Sequence, residues 1–423
     1  MFPPAPAVPG GPVAASVAAD LDSLFASLQT TIEPGVILRI GESGDPRVAW
    51  LIADLLRFIG GSNGAELLDA FETLTGVDLA ADPTSLRSPW QSVSNHLFAW
   101  DLPAPPGYVD WKRIPFEIVE PRWEPFFSDQ NAEIDWRYLS WGGVLIDDRV
   151  FGDQLPCPRG CIPALDEPSV TTADEGAWYA DDRIVFGVVV NGEARAYPKH
   201  QMEVHEMVND TLGGRRIAIP YCTLCGSAQA YYTDNVPGHD EPLVFRTSGL
   251  LTRSNKVMYE LESQSVFDTF LGNAVSGPLL DEGVQLEQLS VVTSTWGDWK
   301  TAHPDTTIVA EDGGLGRRYA DDPLRGRDDD GPIFPIGAVD DRLGVQTQVL
   351  GVTAPDGTPI AFDVAAAIDA LDAGETIEVM GVVVIRDGGG IRAASADGDD
   401  LAGHQAFWFA WSQFNPDTVV WTR

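Results

Sequence analysis

The stretch Ile184-Val-Phe-Gly-Val-Val-Val-Asn-Gly-Glu-Ala-Arg-Ala-Tyr197 decides the fold class of this chain. It holds two runs of residues that favour β-strands, separated by Asn191-Gly192. Asn-Gly is suited to the two positive φ angles of a type I′ turn, which connects antiparallel strands. The stretch therefore predicts a β-hairpin.

Similar short runs continue to the end of the chain, with few helical patterns between them. Strand-like runs lie at Arg216–Tyr221, Leu243–Thr247, Val257–Leu261, Val345–Val352, Thr376–Arg386 and Ala406–Trp411. Short helices are expected near Lys199–Val208, Thr295–Ala302 and Phe362–Leu371. No internal repeat of fixed period is visible. The fold class predicted is α+β, with a β-rich body of short, mostly antiparallel strands and few helices.

The N-terminal part has a different hydrophobic period. From Val13 to about Leu79 the apolar residues follow helical spacing, and Asp45-Pro46 is typical of a helix start. We expect a flexible tail at residues 1–12 and a small all-α domain at residues 13–100.

A segment rich in proline and tryptophan follows this domain. Between Asp101 and Pro125 the prolines predict that no regular helix forms. We expect residues 101–160 to connect the helical domain to a β-rich domain at residues 161–423. The length of 423 residues agrees with two or three domains, at roughly 150 residues each.

The charge excludes some partners. The 27 Lys and Arg against 63 Asp and Glu give a formal net charge of -36. Such a chain lacks the basic surface that nucleic-acid binding requires, so we expect a small molecule or a protein as partner. No apolar run is long enough for a transmembrane segment. The first residues do not resemble a signal peptide, which leaves a cytoplasmic protein or one whose leader was removed.

Cys222-Thr-Leu-Cys225-Gly226 is the first candidate for chemistry. The C-x-x-C spacing allows two thiolates to face one metal ion. It equally allows a redox dithiol, in which one thiolate attacks and the other resolves. A third interpretation is a pair of small buried residues or a structural disulfide.

Cys157 and Cys161 form a second close pair, in a loop rich in proline and glycine. The simplest interpretation is a disulfide that closes this loop. The alternative is a structural zinc site that these two cysteines form with Cys222 and Cys225.

His205 is the histidine in the most suggestive surroundings. On the predicted helix, His205 and Asn209 share one face and Glu206 is adjacent. With Cys222 and Cys225, His205 would complete a three-ligand metal site with an open position. The alternative is a histidine packed at an internal interface. Phosphate-binding and dinucleotide motifs are absent, so we expect no nucleotide cofactor.

Several ordered motifs resemble one known family, called domain of unknown function 3179, from about residue 160 to the end of the chain. They are Ile162–Pro168, Gly187–Pro198, His205–Gly214, Tyr221–Gly226, Thr247–Leu251, Asn255–Tyr259, Gly272–Pro278, Trp296–Asp305, Phe334–Ile336 and Phe407–Trp411. The family is bacterial and archaeal, and many members carry export signals or lipid anchors. The resemblance therefore slightly favours the cell envelope over the cytoplasm.

The resemblance also bears on the candidate residues. It implies metal or thiol chemistry at His205, Glu206, Cys222 and Cys225. Cys157 and Cys161 lie outside the family pattern, which implies a disulfide of this chain alone. Thr223, Phe267 and Asp268-Thr269 depart from the residues usual in the family.

Three functional hypotheses follow. The first is a metal- or thiol-dependent oxidoreductase, with one Zn or Cu ion held by Cys222, Cys225 and His205 and with Glu206 and His205 as catalytic groups. The second is a non-catalytic structural or interaction module. The third is a metal-free dithiol redox protein.

Overall fold

A computed structural model describes residues 2–153, 156–157, 160–327 and 331–423. It contains two compact units. The helical unit consists of Met1–Gln130, Ile134–Trp141 and Ile333–Val339, and the β unit of Asn131–Glu133, Gly142–Pro332 and Asp340–Arg423. The predicted domain limits at residues 100 and 160 stay a prediction. In the described parts of the chain, no helix has both the length and the apolar composition needed to cross a bilayer.

The helical unit contains eight α-helices and one short strand among its described residues. They are α1 (Ala15–Ala26), α2 (Val36–Gly41), α3 (Ala49–Leu56), α4 (Gly61–Thr75), α5 (Pro83–Arg87), α6 (Pro89–Trp100), α7 (Tyr108–Val119), α8 (Glu124–Ser128) and β1 (Leu139–Trp141). Leu21, Leu24 and Phe25 of α1 join the buried core, as their helical spacing predicts. The side chain of Asp45 accepts a hydrogen bond from the N–H of Arg47 and caps the turn before α3.

The prediction that prolines prevent a regular helix after Asp101 is wrong. Helix α7 contains Pro115, although proline in a helix interior costs about 3 kcal/mol. Tyr108, Lys112, Pro115 and Phe116 recur at helical spacing and form the buried face of α7. Burial of this face outweighs the cost of the proline.

The β unit contains the remaining elements. They are β2 (Leu165–Asp166), β3 (Val170–Thr172), β4 (Ile184–Val190), β5 (Glu193–Pro198), α9 (Lys199–His205), β6 (Met207–Leu212), β7 (Arg215–Cys222), β8 (Ser227–Ala228), β9 (Ala230–Tyr232), β10 (Phe245–Thr252), β11 (Asn255–Glu260), β12 (Val266–Asp268), β13 (Ala274–Ser276), α10 (Pro278–Asp281), β14 (Gln288–Leu289), β15 (Val292–Thr295), α11 (Trp296–Ala302), β16 (Thr307–Val309), β17 (Gln348–Thr353), β18 (Pro359–Asp363), α12 (Val364–Asp372), β19 (Ile377–Val379), β20 (Val382–Asp387), β21 (Gly390–Ser395), β22 (Asp400–Leu401), β23 (Gly403–Phe407), α13 (Trp408–Phe414) and β24 (Val419–Trp421). Most paired strands are antiparallel, which confirms the predicted β-rich α+β class.

The predicted hairpin is confirmed. Strands β4 and β5 pair antiparallel, and Asn191 and Gly192 between them have φ angles of 51° and 83°. These are the two positive angles that a type I′ turn requires.

One sheet topology occurs twice in the β unit. In the first module (residues 184–309) the strand order is β15-β4-β5-β16, and in the second module (residues 348–421) it is β23-β17-β18-β24. The last pair is parallel in both modules, β16 with β5 and β24 with β18. The second module therefore repeats the first.

The repeat extends to single residues. Gly187 on β4 lies opposite Ala196, and Gly351 on β17 lies opposite Ala361. The ring of Trp299 covers Gly187, as a Cβ at this glycine would come within 2.4 Å of the ring. Trp411 covers Gly351 in the same way, with a shortest distance of 2.1 Å.

A second sheet also recurs in each module. Strands β6, β7, β9 and β14 are antiparallel neighbours in the first module, and β19, β20, β21 and β22 have the same order in the second. The first module carries the additional strands β10, β11, β12 and β13 between β9 and β14. The two modules therefore differ in length, and for this reason the sequence shows no fixed period.

The strand predicted over Ala406–Trp411 is only partly correct. Strand β23 ends at Phe407, and helix α13 begins at Trp408. Trp408 and Trp411 are three residues apart and both buried, so a helix places both on one buried face. A strand would have turned them to opposite faces.

Candidate functional site

Two free thiols meet at the end of β7. This strand ends at Cys222, and a single 3-10 turn over Thr223–Cys225 brings Cys225 back toward it. The sulfur of Cys225 lies 3.1 Å from the carbonyl oxygen of Ser254, and that of Cys222 lies 3.8 Å from the same oxygen. Cys222 is 5% exposed, whereas Cys225 is fully buried.

Gly226 allows the turn to close under an aromatic ring. Its φ of 59° is a left-handed conformation that favours glycine, and a Cβ here would lie 2.9 Å from the ring of Phe407. Phe407, at the end of β23, therefore covers one side of the cysteine turn.

A partly buried acid and a buried base lie beside the thiols. Glu206 follows α9 with a φ of 51°, and its carboxylate lies 3.6 Å from the ammonium of Lys256 on β11. Lys256 also donates to the carbonyl of Glu206, and the hydroxyl of Thr223 donates to the carboxylate at 3.3 Å. The side chains of Glu206 and Lys256 are 17% and 6% exposed.

The surroundings shift the pKa values of the two thiols in opposite directions. Burial opposes ionisation of Cys222, but hydrogen bonds from the Cys225 thiol and from the N–H groups of Lys256 and Cys225 outweigh it and lower the pKa of Cys222. Burial and the neighbouring Cys222 raise the pKa of Cys225 well above its usual range. The pair therefore holds its first negative charge on Cys222.

Burial shifts the pKa values of Glu206 and Lys256 in opposite directions. Burial raises the pKa of Glu206, and the charge of Lys256 only partly offsets this. Burial also lowers the pKa of Lys256, against the attraction of Glu206. A carboxyl with a raised pKa is suited to accept and return a proton at ordinary pH.

The structure does not bring His205 to the thiols. Its Nδ1 lies 2.7 Å from the carbonyl oxygen of Pro163, and its Nε2 lies 2.7 Å from the hydroxyl of Tyr319. The ring lines a separate cavity of about 330 Å³ together with Arg149 and Arg317. The metal site that His205 would share with the thiols stays a prediction.

The expected helix face of His205 and Asn209 is wrong. Helix α9 ends at His205, Glu206 takes a left-handed conformation, and Asn209 lies on β6. The positive φ of Glu206, the residue that follows His205, ends the helix at His205. Asn209 instead donates to the carboxylate of Asp166 and to the carbonyl of Phe245.

Among the described residues, one group of three potential metal ligands was found, namely Asp147, Cys157 and Cys161. Their ligand atoms lie within 4.8 Å of one another. The two cysteines are joined in a disulfide, so their sulfurs are not available as thiolates. Asp147 is fully buried and accepts hydrogen bonds from Arg149 and from the N–H of Ala164. In this oxidised form the set does not fit a metal ion, and Cys157 and Cys161 do not join Cys222 and Cys225 in one zinc site.

Sequence reasoning missed Ser254 and Lys256. Ser254 lies in the turn between β10 and β11, and Lys256 lies on β11. Both strands belong to the additional segment of the first module. Lys256 is one of only four lysines and lies in the resembling motif Asn255–Tyr259, which is the signal that could have identified it.

The family comparison agrees with the resemblance in the motifs. The family described as "Protein of unknown function (DUF3179)" matches residues 159–397. The chain belongs to the DUF3179 family. Cys222, Cys225, Glu206 and Lys256 of the DUF3179 protein all lie inside the matched range. No curated protein and no solved structure matches the chain.

Three buried histidines make the stability of the DUF3179 protein depend on pH. Burial lowers the pKa of His200, His205 and His404 from 6.5 to about 4. Because the unfolded chain binds these protons first, stability is complete above pH 6.5 and is lost as the pH falls toward 4. We expect a loss of about 2 kcal/mol per histidine between pH 7 and pH 5, measured by urea unfolding at pH 7, 6 and 5. His404→Gln should flatten this dependence, and an equally steep profile in that variant would contradict the assignment.

Proposed function

We propose that the DUF3179 protein is a thiol-dependent oxidoreductase in which Cys222 is the attacking thiolate and Cys225 the resolving thiol. The observation that carries this proposal is the contact between two free, buried thiols beside a partly buried carboxyl group whose pKa is raised. A purely structural pair requires neither the carboxyl of Glu206 nor the ammonium of Lys256. Both groups cost free energy to bury, so a chemical role accounts for their position.

The proposed reaction is the reduction of a disulfide. The Cys222 thiolate attacks one sulfur of the substrate disulfide, forms a mixed disulfide and expels the other sulfur as a thiolate, which takes a proton from water. Cys225 then loses its proton and attacks the sulfur of Cys222. The second substrate sulfur leaves as a thiolate and is protonated in turn. The substrate gains two electrons and two protons, and Cys222 and Cys225 become a disulfide.

Glu206 supplies the proton acceptor for the second half of this reaction. The raised pKa of Cys225 means that its thiol requires a base before it can attack. The charge of the Glu206 carboxylate raises the pKa of both thiols, and its side chain is 17% exposed, so it can exchange a proton with solvent. Lys256 lowers the pKa of Glu206 by charge attraction and so favours the carboxylate form that accepts the proton.

Reaction with 5,5′-dithiobis(2-nitrobenzoate) tests the order of attack. The wild type should release two thionitrobenzoate ions per chain, since Cys225 displaces the second from Cys222. Cys225→Ser should release one and retain the other as a mixed disulfide on Cys222. Cys222→Ser should release none at the wild-type rate, because Cys225 is fully buried with a raised pKa. The variant lacking Cys157 and Cys161 is the control, and equal release by both single variants would contradict the order.

Glu206→Gln should separate the two steps. We expect the first release to change little and the second to slow by about 10²-fold or more, the usual contribution of general base catalysis. Stopped-flow absorbance resolves both phases. The matched control is Glu262→Gln, an exposed glutamate between β11 and β12. An unchanged second phase in Glu206→Gln would remove Glu206 from the proposal.

Metal binding is the second candidate, because two adjacent thiol sulfurs are soft donors that suit Zn or Cu(I). In this structure, His205 does not join them, so the pair would need a further ligand. Elemental analysis of protein purified without chelator distinguishes the two functions. About one equivalent of metal, lost in Cys222→Ser, would favour the metal site, whereas two titratable thiols without metal favour the oxidoreductase. Inert thiols without metal would favour a structural module.

A further inference from the structure

The second module borders a large cavity that plays no part in the thiol chemistry. The cavity has a volume of about 670 Å³, within the range of small-molecule sites, and all of its lining residues belong to the β unit. His404 on β23 and Trp411 on α13 form its inner end with Phe270. These three side chains are each less than 5% exposed.

His404 stands where the first module has an apolar residue. On β23 it lies opposite Gly351, and the equivalent partner of Gly187 on β15 is Val292. The repeated sheet is therefore built with valine at this position, so the fold does not require histidine here. The imidazole nitrogens of His404 lie 3.0 Å from the amide of Gln288 and 3.3 Å from that of Gln229.

The polar lining of this cavity is almost entirely uncharged. Amide side chains line it at Asn273, Gln285, Gln288 and Asn415, and its lining includes no lysine or arginine. Burial lowers the pKa of His404 to about 4, so its ring is neutral at ordinary pH. Among the described residues that line the cavity, Glu133 is the only charged one. This composition disfavours an anionic ligand.

One polar atom of the lining has no partner. The Oδ1 of Asn273 is buried and makes no hydrogen bond among the described residues. A buried acceptor without a partner costs free energy, and a bound donor removes this cost. A ligand with hydroxyl groups offers both donors and acceptors, which amide side chains pair with equally well.

The aromatic end complements the amides. The ring centroid of Phe270 lies 5.2 Å from that of His404, and the ring of His404 lies 5.8 Å from that of Trp411. This cluster closes the inner end of the cavity with apolar ring atoms beside hydrogen-bonding groups. A sugar has the matching arrangement, with C–H groups on the faces of its ring and hydroxyls around its edge.

We propose that this cavity binds a neutral saccharide, with the amides of Asn273, Gln285 and Gln288 bonding its hydroxyls and the aromatic end contacting its ring. The site is separate from the proposed thiol chemistry and stands without it. Its ligand is a mono- or disaccharide, as set by the volume of the cavity.

Isothermal titration calorimetry on the full chain tests this proposal. The probes are D-glucose, N-acetylglucosamine, maltose and cellobiose, with glucose 6-phosphate as the anionic comparison and choline as the cationic one. We expect at least one neutral sugar to bind and its phosphorylated form to bind more weakly. Asn273→Leu should weaken binding about fivefold or more with little loss of stability, because it removes an Oδ1 without a partner among the described residues and a single long hydrogen bond of 3.4 Å from Nδ2 to the carbonyl of Ala274.

Gln285→Leu provides a second variant at an exposed lining position, and Gln29→Leu is the matched control in the helical unit. Weaker binding in both cavity variants, with the control unchanged, supports the site. The proposal is overturned if no neutral sugar binds at 20 mM, on the order of the weakest useful affinities. It is also overturned if choline or glucose 6-phosphate binds more tightly than every neutral sugar.

Discussion

Gly351→Ala is expected to destabilise the β unit by about 3 kcal/mol or more. The added Cβ would lie 2.1 Å from the ring of Trp411, a distance that real carbon atoms do not adopt. Trp411 is 4% exposed and its indole N–H donates to Thr418, so the ring can give way to the added Cβ only by disturbing this hydrogen bond and its packing. Overpacking of a closed core costs typically 1–3 kcal/mol and occasionally more. Urea unfolding followed by far-UV circular dichroism measures the loss.

Gly187→Ala should have the same effect in the first module. Its Cβ would lie 2.4 Å from the ring of Trp299, which donates to Thr306 as Trp411 does to Thr418. Gly10→Ala is the control, since nothing lies within 4 Å of its added Cβ. Adding Trp299→Phe to Gly187→Ala should restore part of the stability, because the two changes affect one contact. Losses below about 1 kcal/mol in both glycine variants would contradict the close packing that defines the repeat.

Lys112→Met should cost about 3–5 kcal/mol, the usual result of removing one partner of a buried ion pair. The ammonium of Lys112 is fully buried, 2.6 Å from the carboxylate of Asp54 in α3. The Tyr108 hydroxyl donates to the other oxygen of this carboxylate at 2.7 Å. Burial raises the pKa of Asp54 even with Lys112 present, so without Lys112 the folded state should take up a proton. The loss should therefore be smaller at pH 5 than at pH 8.

The matched control for this variant is Lys300→Met, which removes a partly exposed lysine paired with Asp181. Surface pairs contribute about 0–1 kcal/mol, so little should change. The double variant Lys112→Met with Asp54→Leu should recover much of the stability, since it leaves no unpaired charge. Equal losses in Lys112→Met and Lys300→Met, or a loss that grows as the pH falls, would show that the buried pair does not stabilise the helical unit.

The candidate site was only partly predictable. The sequence identifies Cys222 and Cys225 because the C-x-x-C spacing is local and needs no tertiary contact to be recognised. Glu206 was named beside His205, yet only Glu206 lies near the thiols, because the left-handed residue after α9 turns the two side chains apart. Lys256 lies about 30 residues from either cysteine, on a strand of a different sheet from β7, and no local pattern reports that the two sheets bring these residues together.

Local chemistry along the chain determined the hairpin at Asn191-Gly192, the helical period of the N-terminal part and the alternation of short strands, because each depends on neighbours a few residues apart. Tertiary structure alone decided three other features. Pro115 sits inside α7 because the buried face of that helix outweighs the proline. Trp408–Trp411 forms a helix rather than a strand because both tryptophans pack on one face. The repeat of the two modules and the position of Lys256 beside the thiols arise from contacts between distant segments. No single stretch of sequence contains the free energies of these contacts.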